Sequence, residues 1–270
     1  MNQAAVKPNA KAKASSRGVQ SIEMGARLLT ALADESEPMM LKDLAQVAGF
    51  APAQAHAYLV SYKNIELVEQ DAETGRYRLG PMALELGLAN MQTIDPFAMA
   101  SETISELSSR TGLHVAIVVW GSFGPTVTLV KESGSQLNMN TRPGTVYSLT
   151  GTASGRVFSA FLPSATVKRA MSLEKREKAG TGRVGTHRFL SRAEIEQIRE
   201  SGYATVENPP IPGISAFSAP VFDHSDQMVM AITIIGQDFY LLDRAESEFV
   251  PALLGATQKL SAELGYIPAY

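Results

Sequence analysis

Few residues in this chain are spaced for covalent chemistry. Gly180-Thr-Gly182-Arg-Val-Gly185 has the GxGxxG spacing of a dinucleotide loop. Such a loop must follow a strand and open a helix. Here the charged stretch Glu174 to Lys178 precedes it, so it reads as a flexible loop. Ser172-Leu-Glu-Lys175 has SxxK spacing, but no KTG element accompanies it, and it reads as charged helix surface. His56, His114, His187 and His224 lie far apart and share no metal-ligand spacing. No Gly-x-Ser-x-Gly elbow is present. The expectation is no enzyme activity, no catalytic residue, no metal site and no cofactor.

Binding groups are better represented. A small-molecule pocket needs a few polar groups on an apolar wall. Ser215 and Ser218 flank Phe217, and Thr233 sits among Ile232, Ile234 and Ile235. The turn Thr150-Gly-Thr-Ala-Ser-Gly155 places backbone N–H groups at the start of the helix after it. That arrangement suits a carboxylate. Ordinary helix capping and strand hydroxyls account for the same residues equally well.

The elements that must position these groups can be read from periodicity. From Ser21 to Ala33, Ile22, Ala26, Leu29 and Ala33 form a helical stripe. Leu41, Leu44, Val47 and Ala48 form a second, with Gly49 as its C-terminal cap. Pro52 opens a third helix, with Ala55, Tyr58, Leu59 and Tyr62 facing inward. Leu67 to Gln70 and Arg76 to Leu79 read as strands joined by a turn ending in Gly75. Three helices and a hairpin suggest a winged helix-turn-helix, because Gly49 and Phe50 leave only a tight turn between helices two and three.

A connecting helix at 81–94 follows, and Asp95-Pro96 caps the next one. In that helix Phe97, Ala100, Ile104 and Leu107 form the buried face. His114 to Trp120, Thr126 to Lys131, Tyr203 to Glu207, Ile214 to Phe222 and Met228 to Ile235 read as strands. Ala153 to Leu162 is a short helix. Ser191 and Glu194 make a capping box for a helix that ends at Gly202. A long amphipathic helix closes the chain. The fold class is α+β: a winged helix-turn-helix head and an antiparallel sheet flanked by helices. The expected divisions are a basic arm at 1–16, a head at 17–80, a linker helix at 81–96 and an effector domain at 97–270.

Composition narrows the setting. The chain has 270 residues, 45% of them apolar, and no cysteine. Disulfides, thiolate metal sites and cysteine nucleophiles are excluded. No signal peptide and no apolar run long enough for a membrane span is present, so a cytoplasmic location without membrane contact is expected. The net charge of −3 is uneven. Residues 1–20 hold Lys7, Lys11, Lys13 and Arg17 with no acid, whereas 21–80 hold nine acids against five cations.

In this order the motifs resemble the IclR family of bacterial transcription regulators. Val19-Gln-Ser-Ile-Glu23 resembles the family's opening and Leu41-Lys-Asp-Leu-Ala45 its second helix. Leu67 to Asp71 with Gly75-Arg-Tyr-Arg-Leu-Gly80 resembles its wing. Thr152-Ala-Ser-Gly-Arg156 with Phe161-Leu-Pro163 resembles the TAxGK…FLP element, with arginine replacing lysine. Gly213 to Asp223 resembles the GxxxxAxPVFD strand. The resemblance implies a GAF-like effector domain, homodimers or homotetramers, a double-stranded DNA operator and a small organic-acid effector. It puts effector contacts at Ala153, Ser154, Ala216, Thr233 and Ile235, beside Ser215, Phe217 and Ser218. Relatives often carry a polar or thiol residue where Ala216 stands and serine where Ile235 stands. This pocket is then more apolar, which favours an aromatic or larger acid.

The third helix departs from the family pattern. Ala53-Gln54-Ala55-His56-Ala57 stands where relatives offer STxHR or SKxHR. Lys63-Asn-Ile-Glu66 stands where a glycine turn is usual. Arg17, Lys42, Gln54, His56, Lys63 and Arg76 remain as candidate DNA contacts. Of these, Gln54 has the amide that can read adenine.

Overall fold

The computed structural model describes residues 18–35, 37–134, 141–179, 189–206, 211–242 and 244–268. The basic arm at 1–16 and Arg17 lie outside the described residues, as does the GxGxxG stretch. The chain divides into two compact units at Ile94/Asp95, so the connecting helix groups with the head.

The head contains α1 (Gln20–Asp34), α2 (Leu41–Ala48), α3 (Pro52–Asn64), β1 (Val68–Gln70), β2 (Tyr77–Leu79) and α4 (Pro81–Thr93). Gly49 ends α2 with φ of 72°, and its N–H returns to the last turn. That left-handed residue makes the tight turn into α3, where Pro52 supplies a preset φ. Leu28, Leu44, Leu59 and Val68 meet in the core. The α1 stripe differs from the expected one. Ile22 is 69% exposed, whereas Gly25, Leu28, Ala31 and Leu32 are buried. A Cβ at residue 25 would meet the Tyr62 hydroxyl at 1.9 Å, so α3 crosses α1 at its smallest residue. Val47 likewise turns outward, and Ala45 is buried in α2 beside Leu44 and Ala48.

The β1–β2 hairpin is antiparallel with Glu69 opposite Arg78, and these two form an ion pair. Asp71 organises the turn. Its carboxylate accepts from Glu73 and Thr74 backbone N–H groups at 3.1 and 2.7 Å and from the Thr74 hydroxyl at 2.8 Å. These bonds, the Thr74 N–H foremost, hold the Asp71 carboxyl below the usual range. Glu66, which ends the Lys63–Glu66 stretch, has φ of 59°, the left-handed region that favours glycine.

The second unit is a four-stranded antiparallel sheet in the order β4–β3–β6–β5. The strands are β3 (His114–Gly121), β4 (Gly124–Lys131), β5 (Ile214–Phe222) and β6 (Met228–Gln237). One face packs on α5 (Pro96–Thr111) and the last helix, α10 (Val250–Glu263). The other packs on α6 (Ala153–Phe161), which also meets α7 (Ser164–Ala179) and α8 (Arg192–Ser201). Between β6 and α10 lie the short α9 (Asp238–Leu241) and a π turn, Ala245–Phe249. Phe217, Ala219, Val221 and Ile232 are buried, and a sheet covered on both faces gives such near-continuous apolar strands.

Local signals position these elements. Asp95 caps α5 by accepting from Phe97 and Ala98 N–H groups at 2.9 and 3.1 Å. Ala100, Ile104 and Leu107 are buried as the periodicity predicts, but Phe97 is exposed, because it lies in the first turn. Ser191 and Glu194 form the reciprocal capping box of α8, and Gly202 ends it in the left-handed region. Asp223 holds the β5–β6 turn through Ser225 and Gln227. Burial raises its pKa, but the hydrogen bonds from Ser225 and Gln227 outweigh that and leave it lowered.

Two expected strands change. Tyr203 to Glu207 reduces to a single bridge, Ala204 with Ser218, at 2.8 and 3.0 Å. Glu207 lies outside the described residues. β4 starts at Gly124 rather than Thr126, leaving only Ser122 and Phe123 in the hairpin. The outer strand β4 also receives a bridge, Thr126 with Val146.

Candidate functional site

The sheet face toward α6 holds a buried run of hydroxyls. Ser218 on β5 lies opposite Thr233 on β6, and their oxygens are 2.9 Å apart. Ser154, in the first turn of α6, reaches across to the Thr233 oxygen at 2.8 Å. All three residues are buried. A threonine hydroxyl offers one donor and two acceptor lone pairs, so Thr233 can serve both serines. β3 continues the row, since Ala116 lies opposite Thr233. One step along, Ala216 lies opposite Ile235, and Ile235 opposite His114. Opposite residues of an antiparallel pair share a face. His114, Ile235 and Ala216 therefore form the apolar and imidazole row beside the hydroxyl row. The His114 ring accepts from the Ser133 N–H at 3.3 Å.

The period of two separates the other expected contacts. Ser215 lies opposite Gly236 and Phe217 opposite Ile234, so both point to the α5–α10 side of the sheet. They do not join the hydroxyl row. Phe217 instead meets the Tyr203 ring at 5.8 Å between centroids. Sequence reading treated Ser215 to Ser218 as one patch, where the strand alternates them. His114 is the residue it missed. Its place was encoded in the pairing of β3 with β6, which no single segment reveals.

The start of α6 is closely built. The Thr152 hydroxyl donates to the Ser148 carbonyl at 2.8 Å and accepts from the Gly155 N–H at 3.1 Å. The turn at 150–155 is thus a helix cap, and Thr152 uses one of the N–H groups that a carboxylate would seek. A Cβ at residue 155 would lie 2.0 Å from the Ser148 carbonyl oxygen and 2.7 Å from Leu149 Cα. Only glycine lets the 148–149 backbone lie on the helix. Ser159 donates to the Leu149 carbonyl at 3.2 Å, which fixes the same loop from the next turn. Ala153 is buried within this cap.

Aromatic side chains border the face. Trp120 packs on Phe158 with centroids 5.6 Å apart. Tyr147 belongs to the same apolar cluster as Ala216 and Ile235. Burial raises the Tyr147 phenol pKa, partly opposed by its hydrogen bond to Thr141 at 3.2 Å. Arg156 makes an ion pair with Glu194 at 3.3 Å, linking α6 to α8. Among the described residues, no three His, Cys, Asp or Glu side chains are grouped to hold a metal ion. No helix of the described residues is long and apolar enough to cross a membrane.

In the head, Gln54 and His56 are exposed on α3, and Lys42 is exposed in the first turn of α2. Ala53 and Ala57 are exposed on the same helix as Gln54. Two other candidate cations are engaged. Lys63 donates to Gln70 at 2.9 Å, tying the end of α3 to β1. Arg76 donates to the Pro38 carbonyl at 2.8 Å, tying the wing to the segment before α2. Arg27 stacks over Phe50, 5.6 Å from the ring centre.

Comparison with known proteins places both units. Residues 21–72 match the IclR helix-turn-helix domain, and residues 89–262 match the bacterial transcriptional regulator IclR C-terminal domain. The glycerol operon regulatory protein of Streptomyces coelicolor is 29% identical over 92% of this chain and 98% of its own length. The HTH-type transcriptional regulator KdgR of Escherichia coli is 27% identical over 88% of this chain and 90% of its own. The crystal structure of Pseudomonas aeruginosa HmgR is similar over 93% of this chain and 100% of that chain, with a TM-score of 0.80 and 31% identity. The Agobacterium tumefaciens repressor BlcR shares the fold, with a TM-score of 0.70 at 16% identity over 93% of this chain and 99% of that one. The two units thus fall within one family of regulators, not enzymes: the chain belongs to the IclR family of bacterial transcriptional regulators.

Proposed function

We propose that the chain binds a double-stranded operator, controls a catabolic operon and responds to a small organic acid, with an aromatic or larger acid favoured. The observation that carries the effector reading is the buried Ser154–Thr233–Ser218 hydroxyl run beside Ala216 and Ile235. Such a row can donate to a carboxylate while the neighbouring apolar row covers the rest of the ligand. A relative named for the glycerol operon supports control of an operon. A cytoplasmic location follows from a DNA partner. Homodimers or homotetramers are part of the same reading. The exposed stripe Leu84, Leu88 and Met91 on α4 supports them, because an apolar stripe at helical spacing is best buried by a second copy.

A thermal-shift screen of carboxylic acids tests the effector. A ligand at a hundredfold excess over Kd adds about 2.7 kcal/mol. That corresponds to a rise of about 5–10 °C for a domain of this size. Tight binding of glyoxylate or pyruvate, with no aromatic acid bound, would refute the preference. A second reading has an observation of its own: Ala53 and Ala57 face outward, while Lys63 and Arg76 are engaged within the head. In that reading the DNA head is degenerate and binds weakly. A salt-titrated mobility shift separates the two, since no sequence-specific shift at low salt would favour the degenerate head.

A further inference from the structure

The exposed side of α3 has an order of its own. Ala55 and Leu59 face the core. Opposite them, Ala53, Ala57, Val60 and Asn64 are exposed and follow the three-and-four spacing of a single stripe, with Val60 42% exposed. Gln54 and Ser61 border it on one side, His56 and Lys63 on the other. The Ser61 hydroxyl donates to the Ala57 carbonyl at 3.2 Å, and Lys63 donates to Gln70. Pro52–Asn64 contains no carboxylate, whereas α1 carries Glu23 and Asp34 and α2 carries Asp43. The stripe is therefore apolar over Ala53, Ala57 and Val60, ends in the amide of Asn64, is flanked by that of Gln54 and carries no acid.

An acid-free face suits a polyanion, and its position after the tight Gly49 turn is that of the helix that enters a major groove. In that groove only thymine displays a methyl group, and glutamine and asparagine amides pair with adenine. We propose that Ala53, Ala57 and Val60 read thymine 5-methyl groups, so that this chain selects an A/T-rich half-site where an arginine would select guanine. The proposal rests on the DNA-binding reading and specifies its code.

The test uses full-length protein and a pool of randomised duplexes selected at low salt. Selected duplexes are then compared with copies in which single thymines are replaced by deoxyuracil. Removing a contacted methyl should weaken binding about three- to fivefold at two or more thymines and leave the others unchanged. Val60→Ala should remove the penalty at one of them. Ala57→Arg should exchange a thymine preference for guanine. Deoxyuracil tolerated at every position, or guanine selected by the wild type, would overturn the proposal while leaving DNA binding intact. A pool that yields no enriched sequence would overturn the DNA reading and this one together. Sedimentation of Val60→Arg supplies a further arm. Loss of self-association would assign the face to a second copy and overturn the proposal, and an unchanged assembly supports it.

Discussion

Glu66 sits at φ 59°, in the left-handed region that favours glycine, and an L-residue pays about 1–2 kcal/mol there. Glu66→Gly should raise stability by about 1 kcal/mol, read as a higher urea midpoint of the head's transition, and a lower midpoint would refute it. Thr233 poses the opposite case. Thr233→Val keeps the shape but leaves Ser154 and Ser218 without their shared partner. A buried hydroxyl that loses its partner costs about 1–3 kcal/mol. The expected result is a loss in that range, partly restored by changing both serines to alanine, because no donor is then stranded. Much of this residue-level picture was legible beforehand. Ser154, Ala216, Ser218, Thr233 and Ile235 were expected together; the strand pairing puts the four strand residues on one face, where Ser154 of α6 meets Thr233. Ser215 and Phe217 were not separable from them without the phase of the strand. His114 was invisible for a related reason, since its neighbours come from β6, about 120 residues away.

At the level of elements, starts and turns were the most readable parts. The Ser191–Glu194 box, the Asp95 cap, the Gly49 and Gly202 endings and the wing turn ending in Gly75 all depend on a few adjacent residues. Helix faces were harder. α1 offers two overlapping apolar rows, and the buried one passes through Gly25, which counts for little in a hydrophobic pattern. Its choice depends on where Tyr58 and Tyr62 of α3 arrive. Ser191→Ala should cost about 1 kcal/mol through the lost cap, measured by denaturant unfolding of the second unit. The wing turn carries a pH dependence with a definite sign. The folded-state pKa of Asp71 is lowered, foremost by the Thr74 N–H. Its contribution is complete above the ordinary carboxylate range and fades as the pH falls through the lowered value. The gap in urea midpoint between wild type and Asp71→Ala should therefore be wide at pH 7 and narrow on acidification. A gap that widened would contradict the turn's role.

For the molecule as a whole, the two units have different uncovered surfaces. No residue of α4 is buried, and Leu84, Leu88 and Met91 share a stripe. Leu84→Glu with Leu88→Glu should shift the chain toward monomer in sedimentation without lowering the unfolding midpoint of the second unit. An unchanged assembly would mean that copies meet elsewhere. The sheet adds a constraint on how they can meet. Its two outer strands are β4 and β5, and each is already occupied. Val127 N–H donates to the Thr145 carbonyl and Tyr147 N–H to the Pro125 carbonyl beside β4, while Ala204 and the Thr205 hydroxyl bond to β5. Proline at Pro125 and Pro220 withholds a donor on each of these strands. Over 125–127 and 216–218 these margins do not present the unpaired ladder on which strands of separate molecules join. Assembly into a continuous intermolecular sheet, and the fibrous aggregation that begins that way, would first have to displace these bonds in the second unit, which favours the association through helices proposed above.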